Sequence, residues 1–394
     1  MTKLEQLIKE LCPNGVEYKK LSDIATVARG VRVVRDQLAE TGDIPVYQNS
    51  IKPLGYHDKS NVKAYSAFVI GAGAAGEIGF SDVDFWAADD CYYFLCPDNL
   101  NNRYLYFVLM KNQPLILSRV RKASIPRLSR TVIENLVIPV PPLEVQAEIV
   151  KILDNFTELT AELTAELTAR KKQYEYYRDL LLDFGVHGGG TSECEWRTLG
   201  EIATIVRGAS PRPIKNFVTD DKNGVHWIKI GDVLPDSKYI TATQERITPD
   251  GAAKSRFVHK GDFILSNSMS FGRPYILQID GCIHDGWLSI SDFEDYVSSD
   301  YLYHILTSGQ IQQEMKKRAS FGGAVQNLNS DIVKAIEIPI PKKSEQDRIV
   351  SILDRFDKLC NDISEGLPAE IEARRKQYEY YRDKLLSFEE RKNA

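Results

Sequence analysis

Apolar residues recur three and four positions apart along a stretch that follows the segment IPVPP. The spacing predicts an amphipathic helix over about residues 143–184, roughly 60 Å long at about 1.5 Å per residue. The preceding prolines favour extended chain and set the start, while Gly185 and the run 188–190 set the end. The apolar positions are Val145, Ile149, Ile152, Leu153, Phe156, Leu159, Leu163 and Leu167.

A second helix of this kind follows IPIP near the end of the chain. Ser344 with Asp347 predicts a capping box at its start, and Gly366 with Pro368 predicts a break or kink. We expect the two helices to pair antiparallel through their apolar stripes. The alternative, that each helix packs only on its own globule, stays open. The shared tyrosine faces are interpreted as packing surfaces: Tyr174, Tyr177 and Leu181, and Tyr378, Tyr381 and Leu385.

The whole chain is an internal duplication. The segment 17–30, EYKKLSDIATVARG, returns as EWRTLGEIATIVRG, and IPVPPLEVQAEIVKILDNFTEL returns as IPIPKKSEQDRIVSILDRFDKL. RKKQYEYYRDLLLDF and RRKQYEYYRDKLLSF are identical at 12 of 15 positions. The order is globule, helix, globule, helix. The similarity of the two helices indicates that they share one structural role. The divergence of the two globules indicates that they recognise different targets.

Both globules show many short strands separated by Gly, Asn and Asp turns, with helices expected over 102–113 and 300–317. This pattern predicts a mixed α/β or α+β fold for each globule. The predicted strands include Ala67–Ile70, Cys91–Leu95, Trp227–Ile230, Phe263–Leu265 and Trp287–Ile290.

The formal net charge is −5, which argues mildly against nucleic-acid binding unless positive charge is concentrated locally. It is concentrated at corresponding places in both halves, because each globule is expected to end with a basic loop before its last apolar strand. The first loop covers residues 119–130, and the second begins with Lys316, Lys317 and Arg318. The segment 119–130 carries five positive charges and no acid in 12 residues. Lys and Arg bind phosphates, and Arg, Gln and Asn also read base edges. The candidate DNA-binding residues are Arg29, Arg32, Arg35, Arg119, Arg121, Lys122, Arg127, Arg130, Arg207, Arg212, Lys215, Arg273, Lys316, Lys317, Arg318, Gln326 and Asn327.

Signals for catalysis or metal binding are weak. The run Gly71–Gly76 fits GxGxxG, but no helical pattern follows it, so a hairpin turn is the preferred interpretation and a nucleotide pocket is the alternative. The six cysteines are scattered without a CxxC pair, as expected of reduced thiols in a cytoplasmic protein. No apolar run is long enough for a membrane span. We therefore expect neither a catalytic residue nor a metal site.

A tandem tetrad lies inside the first helix, as Thr160-Ala161-Glu162-Leu163 and then Thr164-Ala165-Glu166-Leu167. Four residues add about 6 Å of helix, slightly more than one turn. The tetrad is therefore interpreted as a spacer whose length changes in fixed steps.

These junctions, helix ends and tetrads resemble the specificity subunits of type I restriction–modification systems, in particular the subgroup called type IC. The resemblance covers essentially the whole chain. It implies two target recognition domains, 1–142 and 187–342, and two spacer helices, 143–186 and 343–394, which form an antiparallel coiled coil in a pseudo-two-fold duplicated arrangement. Each domain would read one half of an asymmetric, bipartite DNA site.

The resemblance also implies partners. They are double-stranded DNA, two methyltransferase subunits and, through the methyltransferase core, two restriction–translocase subunits, with no membrane involved. S-adenosylmethionine, ATP and Mg²⁺ would serve those partners, and this chain would hold no cofactor. Three alternatives remain: a coiled-coil scaffold without DNA specificity, a nucleotide-dependent enzyme built around Gly71–Gly76, and a specificity subunit that recombines with silent copies.

Overall fold

The computed structural model describes residues 2–184, 194–233, 237–267, 271–320, 328–362 and 365–391. The chain forms two compact units. Unit 1 comprises Met1–Leu163 with Ile371–Ala394, and unit 2 comprises Thr164–Glu370. Each unit thus contains one globule, the start of the long helix that follows it, and the end of the other long helix.

The first half of the chain alternates short strands with few helices, and ends in one very long helix. The strands of its globule form three sheets, ordered β1-β9, β2-β8-β5-β6 and β4-β3-β7. Its elements are α1 (Lys3–Leu11), β1 (Tyr18–Lys20), α2 (Leu21–Ile24), β2 (Thr26–Arg29), β3 (Ile44–Tyr47), β4 (Gly55–His57), β5 (Ser66–Ile70), β6 (Ile78–Ser81), β7 (Trp86–Ala87), β8 (Cys91–Leu95), α3 (Asn102–Ser118), α4 (Arg130–Glu134), β9 (Val137–Pro139) and α5 (Leu143–Leu181).

The second half repeats this plan with additional strands. Its sheets are ordered β10-β21, β11-β20-β17-β18-β14 and β12-β15-β13-β19-β16. Its elements are β10 (Glu195–Thr198), α6 (Leu199–Ile202), β11 (Thr204–Arg207), β12 (Val218–Thr219), β13 (Val225–Ile228), β14 (Tyr239–Ile240), β15 (Glu245–Ile247), α7 (Pro249–Ala252), β16 (Arg256–Val258), β17 (Phe263–Ser266), β18 (Pro274–Leu277), β19 (Gly281–Ile283), β20 (Trp287–Ser291), α8 (Ser299–Thr307), α9 (Gly309–Ser320), α10 (Ser330–Lys334), β21 (Glu337–Ile340), α11 (Lys343–Asn361) and α12 (Leu367–Leu385).

The duplication extends to the globules, whose sequences show it only at their ends. The strand order β2-β8-β5-β6 returns as β11-β20-β17-β18. The short sheet β1-β9 returns as β10-β21, antiparallel in both cases. The predicted fold class is confirmed.

Two expectations for the second half are wrong in detail. The helix predicted over 300–317 is two helices, because Ser308 has an extended backbone between α8 and α9. Residue Ile230, predicted to end a strand, instead begins the 3₁₀ turn Ile230–Asp232. The carboxylate of Asp232 accepts a hydrogen bond from the backbone N–H of Lys229 and so favours the turn.

The long helices confirm the main periodicity prediction. Helix α5 starts with fully buried Val145, Ile149 and Leu153, which pack into the core of the first globule. The predicted break in the second helix is also observed, since α11 ends at Asn361 and α12 begins at Leu367.

The capping box predicted from Ser344 and Asp347 is wrong. Lys342 is the N-cap residue of α11 and makes no side-chain cap bond. The start of the helix is held instead by a buried glutamine. The side-chain Nε2 of Gln346 donates to the carbonyls of Pro341 and Tyr296, and its Oε1 accepts from the N–H of Ser298.

The same glutamine contact occurs in the first half. Gln146 donates to the carbonyls of Pro141 and Asn99 and accepts from the N–H of Asn101. Gln146 and Gln346 are 0% and 1% exposed. A buried amide that satisfies three main-chain groups fixes the globule to the start of its long helix.

Within each unit the ends of the long helices contact each other through aromatic rings. In unit 1, Phe156 stacks on Tyr381 with ring centroids 5.3 Å apart. In unit 2, Tyr177 stacks on Phe356 at 5.8 Å. Burial raises the pKa of the Cys360 thiol in α11, and the charge of Lys171 in α5 partly offsets this rise. Later residues of α5 thus meet earlier residues of α11, so the two helices run antiparallel in this unit, as predicted.

Candidate nucleic-acid interface

The glycine run of the first half is a hairpin turn between β5 and β6. Gly73 and Gly76 have φ values of +85° and +90°, which favour glycine. A strand, β6, follows the run, so the helix that a dinucleotide site requires is absent from this described segment. The hairpin interpretation is confirmed.

The basic segment 119–130 lies against this turn. The N–H of Gly73 donates to the carbonyl of Pro126 at 3.1 Å, and the N–H of Leu128 donates to the carbonyl of Gly71 at 2.8 Å. Arg121 and Arg127 pair through their backbones and close a short loop. The backbone bonds therefore hold the loop in place and leave its side chains available.

The cations of this loop point outward. Arg119, Arg121, Lys122 and Arg127 are exposed, and no ion pair is recorded for them among the described residues. Arg130 is exposed as well, but it pairs with Glu134 at 3.0 Å in α4. Four unpaired cations on one loop create a locally positive surface on an acidic chain.

The Arg-Gly pair that ends the repeated segment 17–30 contributes a second part of this surface. Arg29, at the end of β2, donates from Nε to the carbonyl of Asp89 at 2.5 Å. Gly30 follows, and a side chain there would clash with the carbonyl of Ala88. Arg29 thus supports the turn before β8, whereas Arg32 is exposed and without a recorded partner. Arg35 begins the 3₁₀ turn Arg35–Gln37.

An open recess of about 380 Å³ lies between the loop after β2 and the loop after β3. Arg32, Gln48 and Asn49 line it together with Val33, Val34, Leu38 and Leu54. The carbonyl of Asn49 accepts from the N–H of Ala74, which joins the recess to the glycine turn. Sequence reasoning missed Gln48 and Asn49, although two adjacent amides in a loop are a signal for base reading. We call loop 30–38, recess residues 48–49, turn 71–76 and loop 119–130 the first basic edge.

The second half has the same construction. Arg207, at the end of β11, donates from Nε to the carbonyl of Asp285 at 3.0 Å, as Arg29 does to Asp89. The N–H of Leu328 donates to the carbonyl of Asn267, as that of Leu128 does to Gly71. Gly272 has a φ of +70° in the β17–β18 hairpin. The described residues at these corresponding places form the second basic edge: loop 207–215, the hairpin residues 266–267 and 271–273, and residues 316–320 and 328.

The second basic edge differs in its charges. Arg212 is exposed over 85% of its side chain and lies 3.9 Å from Asp285. Lys215 is also exposed. A hydrogen bond from Ser210 is the main cause that lowers the pKa of Asp285, so this carboxylate stays ionised among the cations. The guanidinium of Arg273 lies over the Tyr275 ring at 5.6 Å.

The expectation that Lys316, Lys317 and Arg318 lie in a loop is wrong. They lie in the last turns of α9, where cations complement the helix dipole. Arg318 is also tied to its own globule, through Glu314 at 2.7 Å and the carbonyl of Ala335 at 2.7 Å. Gln326 and Asn327 lie outside the described residues.

The tetrad occupies the middle of α5. Leu163 and Leu167 are half-buried, whereas the alanines and glutamates are exposed. Unit 1 ends at Leu163 and unit 2 begins at Thr164, so the division between the units falls inside the repeat. Residues Thr160–Leu167 are helical throughout.

The sequence matches the type I restriction modification DNA specificity domain twice, over residues 13–170 and 191–373. The chain belongs to this family of type I DNA specificity proteins. It is 34% identical to a putative type I restriction enzyme specificity subunit of Haemophilus influenzae, with 98% of each chain covered. It is 40% identical to the EcoR124I/EcoR124II specificity subunit of Escherichia coli over 64% of this chain and 61% of that one.

Solved structures show the same fold at low sequence identity. The S subunit of a type I system from M. genitalium superposes with a TM-score of 0.59 at 17% identity, covering 94% of this chain and 96% of that one. A chain from a study of assembly and conformational transition of the type I R-M system gives a TM-score of 0.65, also at 17%, covering 95% and 98%.

Family membership assigns the chain to the non-catalytic specificity subunits, whose complexes contain DNA, methyltransferase subunits and restriction subunits. No group of His, Cys, Asp and Glu in the described part of the chain could hold a metal ion. No helix among the described residues is long and apolar enough to span a membrane.

Proposed function

We propose that the two basic edges each read one half of an asymmetric, gapped DNA site and thereby direct the methyltransferase and restriction subunits to it. One observation carries the proposal. The same main-chain contacts occur on both globules, one made by an arginine at a strand end and one made by a leucine N–H to the hairpin. The cations beside them differ, since they lie in a loop in the first globule and at the end of α9 in the second. A shared framework with divergent polar side chains is what two different half-sites require.

The proposal assigns the recognition domains to residues 1–142 and 187–342 and the spacer helices to 143–186 and 343–394. Within the first domain, Arg119, Arg121, Lys122 and Arg127 supply phosphate contacts, because they are exposed cations without recorded partners. Arg32 stands beside Gln48 and Asn49, whose amides can read base edges. Arg29 and Arg207 support turns, and are assigned to the framework of the site.

The second domain would use a different set of cations. Arg212, Lys215, Lys316 and Lys317 are exposed and are assigned to DNA contact. Arg318 is assigned to the framework because two contacts within its own globule occupy it. Arg273, Gln326 and Asn327 stay in the candidate set, as do Arg35 and Arg130.

We further propose an assembly of one chain with two methyltransferase subunits, which in turn recruit two restriction–translocase subunits. The duplication supports this stoichiometry, since nearly identical helix segments offer the same surface twice. The tetrad 160–167 would set the unread gap between the half-sites. Because the ligand is cellular DNA, we place the protein in the cytoplasm.

The test is selection of DNA by the assembled complex. The chain and its methyltransferase subunits are incubated with random double-stranded fragments, and the bound fraction is sequenced over several rounds. The proposal expects one asymmetric motif with a fixed gap, and binding that weakens steeply as salt rises. Fragments without a shared motif, bound independently of salt, would favour the scaffold alternative.

A further inference from the structure

Each long helix carries one aspartate at the same place, Asp154 in ILDNFTEL and Asp354 in ILDRFDKL. In unit 1, Asp154 joins α5 to the globule. Its Oδ1 accepts from Arg103 Nε at 2.8 Å and lies 2.7 Å from Arg103 Nη2. Arg103 belongs to α3, which packs on the sheet of the first globule.

Aromatic rings hold the Arg103 guanidinium in place. It lies 4.3 Å from the centroid of Phe80, 4.9 Å from that of Tyr106 and 5.0 Å from that of Phe107. The side chain is 25% exposed. A planar cation stacked on rings loses little further freedom when it binds a carboxylate. The Arg103–Asp154 pair therefore has a fixed geometry, which an ordinary surface ion pair lacks.

In unit 2 the corresponding aspartate is met by different residues. Asp354 Oδ1 lies 2.8 Å from His304 Nε2 and 3.9 Å from Lys238 Nζ. Lys238 also pairs with Asp300 at 2.7 Å and lies over the Tyr303 ring at 4.7 Å. Its side chain is only 13% exposed.

The two halves can be aligned through a shared tyrosine contact. Tyr104 and Tyr301 donate from their hydroxyls to the carbonyls of Pro139 and Pro339, each at 3.1 Å. This alignment places Asp300 where unit 1 has Arg103. The cation thus comes from helix α3 in one globule and from the segment before β14 in the other, yet it reaches the same position on the long helix.

The aspartate of the long helix is thus bound by different residues in the two units. This indicates that the contact does more than hold the helix against the globule. Apolar residues would hold a helix to a globule at least as well, since a partly buried ion pair carries a desolvation penalty. A charged hydrogen bond adds direction. The aspartate also lies eight residues after the buried glutamine, about 12 Å along the helix. Two contacts at that separation fix the orientation of a globule on its helix.

We propose that Asp154 and Asp354 are positioning residues that set the orientation of each globule on its long helix and so select the length of the unread gap. The proposal rests on the function proposed above. A rotation of about 10° moves an edge about 20 Å from the pivot by about 3.5 Å, close to one base-pair step. Small changes at the aspartate therefore translate into gap preference.

The test uses the complex of the full chain with its methyltransferase subunits, once the motif of the unaltered complex is determined. DNA targets keep both half-sites and carry the native gap, one base pair fewer or one more. Arg103→Met and Asp154→Asn should lower the preference for the native gap about tenfold. Arg103→Lys should restore most of it. Lys238→Met, which changes the contact in the second globule, should also lower the preference for the native gap.

The control is Lys3→Met, which removes the ion pair of exposed Lys3 with Glu148, 2.6 Å apart, on the same helix α5. It should leave gap preference unchanged. If Arg103→Met reduced methylation equally at every gap length, or left the preference intact, the positioning role would be overturned. A wild-type complex that methylates no gapped target would overturn the proposed function itself, so the two failures are distinguishable.

Discussion

A third Thr-Ala-Glu-Leu unit inserted after Leu167 should change the gap and leave both half-sites intact. The insertion site lies within α5, between the stacked Phe156 of unit 1 and the stacked Tyr177 of unit 2. Neither basic edge includes residues of this helix. Alanine, leucine and glutamate are good helix formers, so the longer helix should remain continuous.

The size of the effect follows from helix geometry. Four residues add about 6 Å of rise and about 400° of rotation, or about 40° beyond a full turn. Since successive base pairs are about 3.4 Å apart, about 6 Å corresponds to between one and two base pairs. The small excess rotation lets the leucine of the new tetrad lie close to the face of Leu163 and Leu167.

The assay is methylome sequencing of hosts that carry the unaltered or the extended chain with the same methyltransferase. The expected motif has the same two half-sites and a gap longer by one or two base pairs. Thr164→Ser with Glu166→Gln, which changes residues at constant length, should leave the gap as it is. A changed half-site sequence, or an unchanged gap in an active complex, would refute the reasoning.

Further predictions follow from the contacts. Arg121→Ala with Lys122→Ala should reduce the slope of log affinity against log salt by about one to two, measured by fluorescence anisotropy, whereas an unchanged slope would remove these residues from the interface. Gln146→Leu should cost about 3 kcal/mol of unfolding free energy in denaturant titrations, because three main-chain groups lose the side chain that pairs with them. A cost near zero would contradict the role of this contact. Titration with S-adenosylmethionine or NAD should show no binding to the isolated chain, and binding abolished by Gly73→Val would revive the nucleotide-enzyme alternative. Burial alone would raise the pKa of Asp354, but the hydrogen bond from His304 and the charge of Lys238 lower it below the ordinary 3.8. The ionised carboxylate therefore stabilises the folded chain above pH 3.8, and this stabilisation is lost as the pH falls through the lowered pKa. Asp354→Asn should flatten the acid side of the plot of unfolding free energy against pH, and an unchanged plot would count against the ion pair.

The sequence was sufficient for the features that depend on periodicity and repetition. Spacing of apolar residues located α5 almost to the residue, because a long amphipathic helix repeats its signal many times. Gly366 and Pro368 marked the break between α11 and α12. The absence of a helical pattern after Gly76 was enough to predict the hairpin. The structure explains the glycines, because Gly73 and Gly76 adopt positive φ angles in this turn.

Contacts between residues that are far apart in the chain could not be predicted from the sequence. Nothing in the sequence indicates that Gln146 and Gln346 are buried or that Asp154 pairs with Arg103, because single polar residues carry no periodic signal. The assignment of the end of α12, from Ile371 to Leu385, to the unit of the first globule likewise depends on three-dimensional packing. Ser344 and Asp347 have the spacing of a capping box, but the main-chain contacts of Gln346 hold the helix start. Lys316, Lys317 and Arg318 resembled a basic loop, although a pair four residues apart, Glu314 with Arg318, favours helix.

We propose that this chain decides where its methyltransferase acts. The most direct measurement is methylome sequencing of a host that carries the chain with its cognate methyltransferase subunit, compared with a host that carries that subunit alone. We expect one new asymmetric, gapped motif with a methylated base in each half, present only when the chain is expressed. A methyltransferase shown to be active and paired with this chain, yet producing no new motif, would contradict it.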